Sequence, residues 1–134
     1  MARSRLRAPR QDPQKAAGYA RARETVHDRA GGRCEVCTAR VSCGQMHAHH
    51  RLPRSAGRDD SPSNLMCLCA RCHGIVHGSP TGAVNAGWVI PRHDLRRPDQ
   101  VPVILVVGGR SAWFLLGGDG SRIPLPAGPT TVTV

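Results

Sequence analysis

From Ala16 to Ala30, in AAGYARARETVHDRA, the residues Tyr19, Ala22, Val26 and Ala30 recur three or four positions apart. That spacing lines up one stripe of a helix, which Gly31 and Gly32 then end. The polar face of this helix is expected to carry Arg21 and Arg29. Beyond Ser79–Pro80 the pattern changes to short β-prone apolar runs, GWVIPRH, VPVILVVGG and SAWFLLGG, split by Gly, Pro and GGDG. These runs predict a short strand-rich appendage over residues 81–134. Between the two regions, from Arg33 to Gly78, apolar periodicity gives way to chemistry: all six cysteines and five of the seven histidines fall there. No internal repeat is present. Ahead of the helix, residues 1–15 combine Arg3, Arg5, Arg7, Arg10 and Lys15 with Pro9 and Pro13. Such a segment has too little apolar surface to fold alone and is expected to be a flexible basic arm.

Composition sharpens this picture. A chain of 134 residues supports one core with additions. Its four aromatic residues, Tyr19, Trp88, Trp113 and Phe114, leave that core poor in large side chains. Basic residues outnumber acidic ones 19 to 9, giving a formal net charge of +10 and pointing to a polyanionic partner, DNA or RNA first. The start MARSRLRAPR has no apolar stretch after its charges, so a secretory signal is not expected. The longest apolar run falls far short of the 18 or so residues that a membrane helix needs. A soluble protein of a reducing cytoplasm, with metal thiolates rather than disulfides, is the expectation.

Cys34-Glu-Val-Cys37 and Cys69-Ala-Arg-Cys72 are both C-x-x-C, about thirty residues apart. Each turn lets two thiolates converge on one ion, and two such turns close a tetrahedral four-cysteine zinc site whose binding energy is folding energy. Four thiols that merely pack, or a ligand set using the left-over Cys43 or Cys67, stay open as alternatives. If a helix begins near Ala70 and ends before Gly78, His73 and His77 lie one turn apart and can grip a second ion. Upstream, in HAHHRLPRSAG, a strand would send His49 and His50 to opposite sides. One can then hold a metal while the other faces a reacting water.

Taken together, CEVC, AHHRLPRSAG, NLMCLCARCH and GIVH resemble the HNH endonuclease family, over about a third of the chain. The resemblance implies a small α+β fold whose ββα-metal (His-Me finger) core is stabilised by the four-cysteine zinc site. It implies a nuclease domain over 16–80 with its leading helix. It assigns His50 as general base, Asn64 as the residue orienting that base or its loop, and His49, His73 and His77 as ligands of one catalytic divalent ion, Mg²⁺, Mn²⁺, Ni²⁺ or Zn²⁺. Arg51 and Arg54, close to His50 in sequence, are expected to clamp phosphates. The implied reaction is hydrolysis of phosphodiester bonds in DNA, double-stranded first, leaving 5′-phosphate and 3′-hydroxyl ends. Small stand-alone members of this kind resemble those encoded by phages, some of which assist packaging proteins while others are mobile homing nucleases. A non-catalytic zinc-containing nucleic-acid-binding or assembly adaptor is the alternative.

Overall fold

The computed structural model describes residues 12–126 and Gly128. Of the basic arm, residues 1–11 lie outside the described residues. The helix begins earlier than its apolar stripe suggests: α1 spans Pro13–Arg29, because the Asp12 carboxylate accepts from the Gln14 amide and Pro13 takes the first helical position. Lys15 therefore stands on the first turn of α1 and not in an arm. Gly31, at φ 62°, follows the helix, as the Gly31–Gly32 pair predicts.

A short hairpin follows, β1 (His47–His50) and β2 (Leu65–Leu68), antiparallel, with His49 opposite Met66 and His50 opposite Leu65. Helix α2 (Ala70–Gly78) comes next and completes a ββα unit; a short α3 (Pro80–Asn85) follows it. A three-stranded antiparallel sheet ends the described chain, β3 (Val103–Val107), β4 (Arg110–Leu116) and β5 (Arg122–Pro124). The run GWVIPRH, expected as β-prone, pairs in neither sheet; Trp88 to Ile90 pass between α3 and the sheet.

Strand β2 is buried on both faces, which is why it reads as an unbroken apolar run. Leu65 and Cys67 face α1, packing with Ala22, Val26, Val41 and Met46. Met66 and Leu68 face the other way, into a cluster with Cys34, Cys72 and Val76 that also takes in Ala83, Val103, Leu105, Phe114 and Leu116. The strand-rich segment thus shares its core with the ββα unit. Gly87 marks the closest approach: its φ is 76°, and a Cβ there would meet the carbonyl oxygen of Pro102.

Two arginines expected on the surface are interior ties. Arg29, predicted for the polar face of α1, is buried; it pairs with Glu35 at 2.7 Å and donates to the carbonyls of Pro62 and Leu65. The Glu35 carboxylate also accepts from the Cys67 amide. Arg51 is completely buried and donates to the carbonyls of Gly87, Ser63, Pro98 and Val101 at 2.7–3.0 Å. The expectation that Arg51 clamps a phosphate is thereby corrected: its donors are spent inside the protein, where no phosphate reaches. Replacing Arg51 by Met should lower unfolding free energy by about 3 kcal/mol or more in denaturant titration, because several buried carbonyls lose their donor together. A loss under about 1 kcal/mol would contradict this interior role.

Candidate metal centres and histidine site

The first C-x-x-C is a tight loop. The Cys34 amide donates to Ala39, the Thr38 amide donates back to Cys34, and Thr38 takes a positive φ of 69°. The second opens α2, where Cys69 is the N-cap and its sulfur accepts from the Cys72 amide at 3.4 Å. These two loops bring the sulfurs of Cys34, Cys37, Cys69 and Cys72 within 4.8 Å of one another. Zinc–sulfur bonds of about 2.3 Å in a tetrahedron imply edges of about 3.8 Å. The Cys37–Cys69 Sγ separation is 3.7 Å, so the set fits. Burial works against ionising Cys69, but hydrogen bonds from Cys72 and the neighbouring thiols outweigh it and bring the thiol down to about 7. Cys67, a core thiol pushed up to about 12 chiefly by burial, and half-buried Cys43 stand outside this cluster.

Alternation along β1 then sorts the histidines. His47 and His49 face α2; Ala48 and His50 face α1. His49 meets His73 and His77, one turn apart on α2, so that one ring nitrogen from each lies within 4.8 Å of the others. The Nε2 atoms of His73 and His77 are 2.9 Å apart. Metal–nitrogen bonds of about 2.1 Å give edges of about 3.0–3.4 Å, so these imidazoles also fit an ion. His49 Nε2 lies 2.6 Å from the Trp88 carbonyl, which can only accept; the ring proton is on Nε2 and the lone pair on Nδ1. Burial chiefly, opposed by that carbonyl and aided by the nearby histidines, pushes His49 down to about 4 and keeps it neutral. His47, which sequence reasoning gave no role, sits with its Nδ1 2.9 Å from His73 Nδ1. It can accept the His73 Nδ1 proton, freeing His73 Nε2.

His50 is in a different environment. Its Nε2 lies 2.8 Å from Asp60 Oδ1, while the other Asp60 oxygen accepts from Arg58 at 2.7 Å. Burial would raise the Asp60 pKa, but the hydrogen bonds from His50 and Arg58 prevail and hold it below the usual carboxylate value. Tyr19 of α1 stacks on the His50 ring at 6.0 Å between centroids and 16° between planes. The Asn64 side chain makes no hydrogen bond to His50. It ties the ends of the loop that leaves His50, with Oδ1 accepting from the Leu52 amide and Nδ2 donating to the carbonyls of Asp59 and, at 3.3 Å, Leu52. Arg54 is exposed, with its guanidinium 5.5 Å from the centre of the Tyr19 ring. His49, His50, Arg54 and His77 line one cleft of about 450 Å³.

Residues 34–79 match the family model for HNH endonuclease. That span begins at Cys34 and ends just after α2, so the matched segment is the middle third of the chain, the ββα unit of a small α+β fold with the loop that leads into it. HNH domains generally belong to endonucleases, which act on nucleic acid with divalent metals, and the cysteine cluster can hold a structural metal. No match was found among curated proteins or among solved structures. Among the described residues no helix is long and apolar enough to cross a membrane.

Asp60, His47 and the Trp88 carbonyl escaped the sequence reading. The HAHH alternation was a usable signal for His47, since positions 47 and 49 share a strand face; a main-chain acceptor such as Trp88 leaves no residue signature. Metal analysis of purified protein should find one tightly held ion and one removed by mild chelation. His77→Ala should abolish only the exchangeable ion, and Cys72→Ala should lose the tight one together with the fold. A single ion lost equally in both variants would rule out two separate centres.

Proposed function

We propose that this chain is a metal-dependent DNA endonuclease or nickase. One observation carries the reading: adjacent β1 residues divide into a neutral His49 inside a three-imidazole cluster and a His50 paired to a carboxylate, and both border the same cleft. Hydrolysis of a phosphodiester needs a base for water and a place where developing negative charge is met. With its Nε2 proton committed to Asp60, His50 keeps the Nδ1 lone pair to receive a proton from water. His49, His73 and His77 would hold the catalytic ion, and Cys34, Cys37, Cys69 and Cys72 a structural zinc. Such an ion, Mg²⁺, Mn²⁺, Ni²⁺ or Zn²⁺, would supply Lewis-acid stabilisation of the charge that develops in phosphodiester hydrolysis. Asn64 holds the loop and hence the chain around His50. Arg54, exposed at the rim, is the cation offered to phosphate oxygens; the charge of +10 favours a polyanionic partner, and double-stranded DNA is the one the family resemblance implies.

Purified full-length protein should nick or linearise supercoiled plasmid when Mg²⁺, Mn²⁺ or Ni²⁺ is supplied, and His50→Ala should lower the rate by about 100-fold or more. Cleavage by His50→Ala at the wild-type rate would refute the assignment of the base. Salt-dependent DNA binding with no cutting under any of the metals would select the alternative, a zinc-containing nucleic-acid-binding or assembly adaptor.

A further inference from the structure

His50 is held from two directions by groups outside the histidine and cysteine clusters. Its Nε2 edge meets Asp60 Oδ1 at 2.8 Å, and its face meets the Tyr19 ring in a nearly parallel stack. The side chains of His50 and Asp60 are 9% and 20% exposed, so the contact is sheltered and not a mobile surface pair. Asp60 is itself fixed, its second oxygen taken by Arg58 Nε at 2.7 Å. Its loop is anchored by the Asn64 bond to the Asp59 carbonyl and by the Ser61 amide on the Asp59 carboxylate.

A neutral imidazole has one N–H and one lone pair, and an ionised carboxylate only accepts. The pair therefore fixes the tautomer. We propose that Asp60 is a positioning residue for His50, selecting the Nε2–H tautomer and the ring orientation that present Nδ1 to the cleft. Arg58 secures the carboxylate and Tyr19 the ring plane. This rests on the nuclease reading for its consequence in the reaction, but not for the tautomer itself. The His49 ring is oriented differently, by a main-chain carbonyl, so the adjacent histidines have independent supports.

The test uses zinc-loaded full-length protein, ¹⁵N-labelled at histidine, with long-range ¹H–¹⁵N spectra and plasmid-cleavage kinetics on the same samples. Wild type should show His50 as a single Nε2–H tautomer. Asp60→Asn, nearly isosteric, should mix the tautomers and reduce kcat about 10- to 100-fold with KM for DNA changed far less. Asp60→Glu should restore part of both. An unaltered His50 tautomer in Asp60→Asn overturns the proposal whether or not kcat falls, and so does wild-type kcat in Asp60→Asn when His50→Ala is inactive. If wild type cuts no DNA, the nuclease reading fails by itself, while the His50 spectra of wild type and Asp60→Asn still decide the tautomer. Asp60→Glu supplies the comparison should Asp60→Asn misfold.

Discussion

The guanidinium of Arg51, sealed in the interior one residue after the paired histidines, is the constraint on which the site depends. Among the described residues no carboxylate forms an ion pair with it. Its donors end on carbonyls from the loop before β2, the turn after α3 and the turn that leads into β3. Burial pushes its pKa down to about 9, with Arg29 adding to the fall, and it still carries its proton at neutral pH. A buried cation is tolerable only when its donors are met, so these segments must keep their places for the charge to stay inside. The main chain of Arg51 is tied too, its amide to the Asn64 carbonyl and its carbonyl to the Ile90 amide. The end of β1 is therefore locked, and with it the directions of His49 and His50.

A fixed strand end gives the alternation of side chains chemical meaning. Facing α2, His49 enters a crowd of imidazoles, where any extra proton is repelled and burial favours the neutral form. Facing α1, His50 meets a carboxylate and an aromatic ring. A register slip of one residue would exchange these environments, and the double burial of β2 opposes such a slip by placing every one of its side chains in a core. The strand-rich segment takes part as well, sharing the core and, through the chain before it, supplying the Trp88 carbonyl that sets the His49 proton.

What the sequence discloses about this site is local. The two C-x-x-C turns, the i, i+4 histidines and the opposed pair on β1 are each read from spacing, and the structure assembles each into the expected cluster or face. Contacts across long loops are not so encoded. Arg29 and Arg51 read as surface because arginine is seldom fully buried, and only their carbonyl partners, 33 and 36 residues away for Arg29 and 12 to 50 for Arg51, reverse that reading. Asp60 lies ten residues from His50, at no helical or strand spacing. The early start of α1 is different: Asp12 before Pro13 is a capping signal present in the sequence, outweighed there by the basic composition around it.

The interior arginines also change what the net charge means. A formal +10 overstates the cation available to a polyanion, because Arg51 holds an uncompensated charge in the core, whereas the pairs of Arg29 with Glu35, Arg96 with Asp94 and Arg97 with Asp99 already cancel within that sum. Around Tyr19 the distribution is different: Arg23, Arg54 and Arg58 approach its ring at 5.5–5.9 Å, beside the His50 stack. Arg23 donates to the carbonyls of Cys43 and Met46, which fixes its position without neutralising it, and Arg58 shares its charge with Asp60. Arg58 and Asp60 offset each other, which leaves Arg23 and Arg54 as the cations on Tyr19, their reach screened over about 8–10 Å at physiological salt. An aromatic ring holds cations without cancelling their charge, so Tyr19 keeps these guanidiniums beside His50.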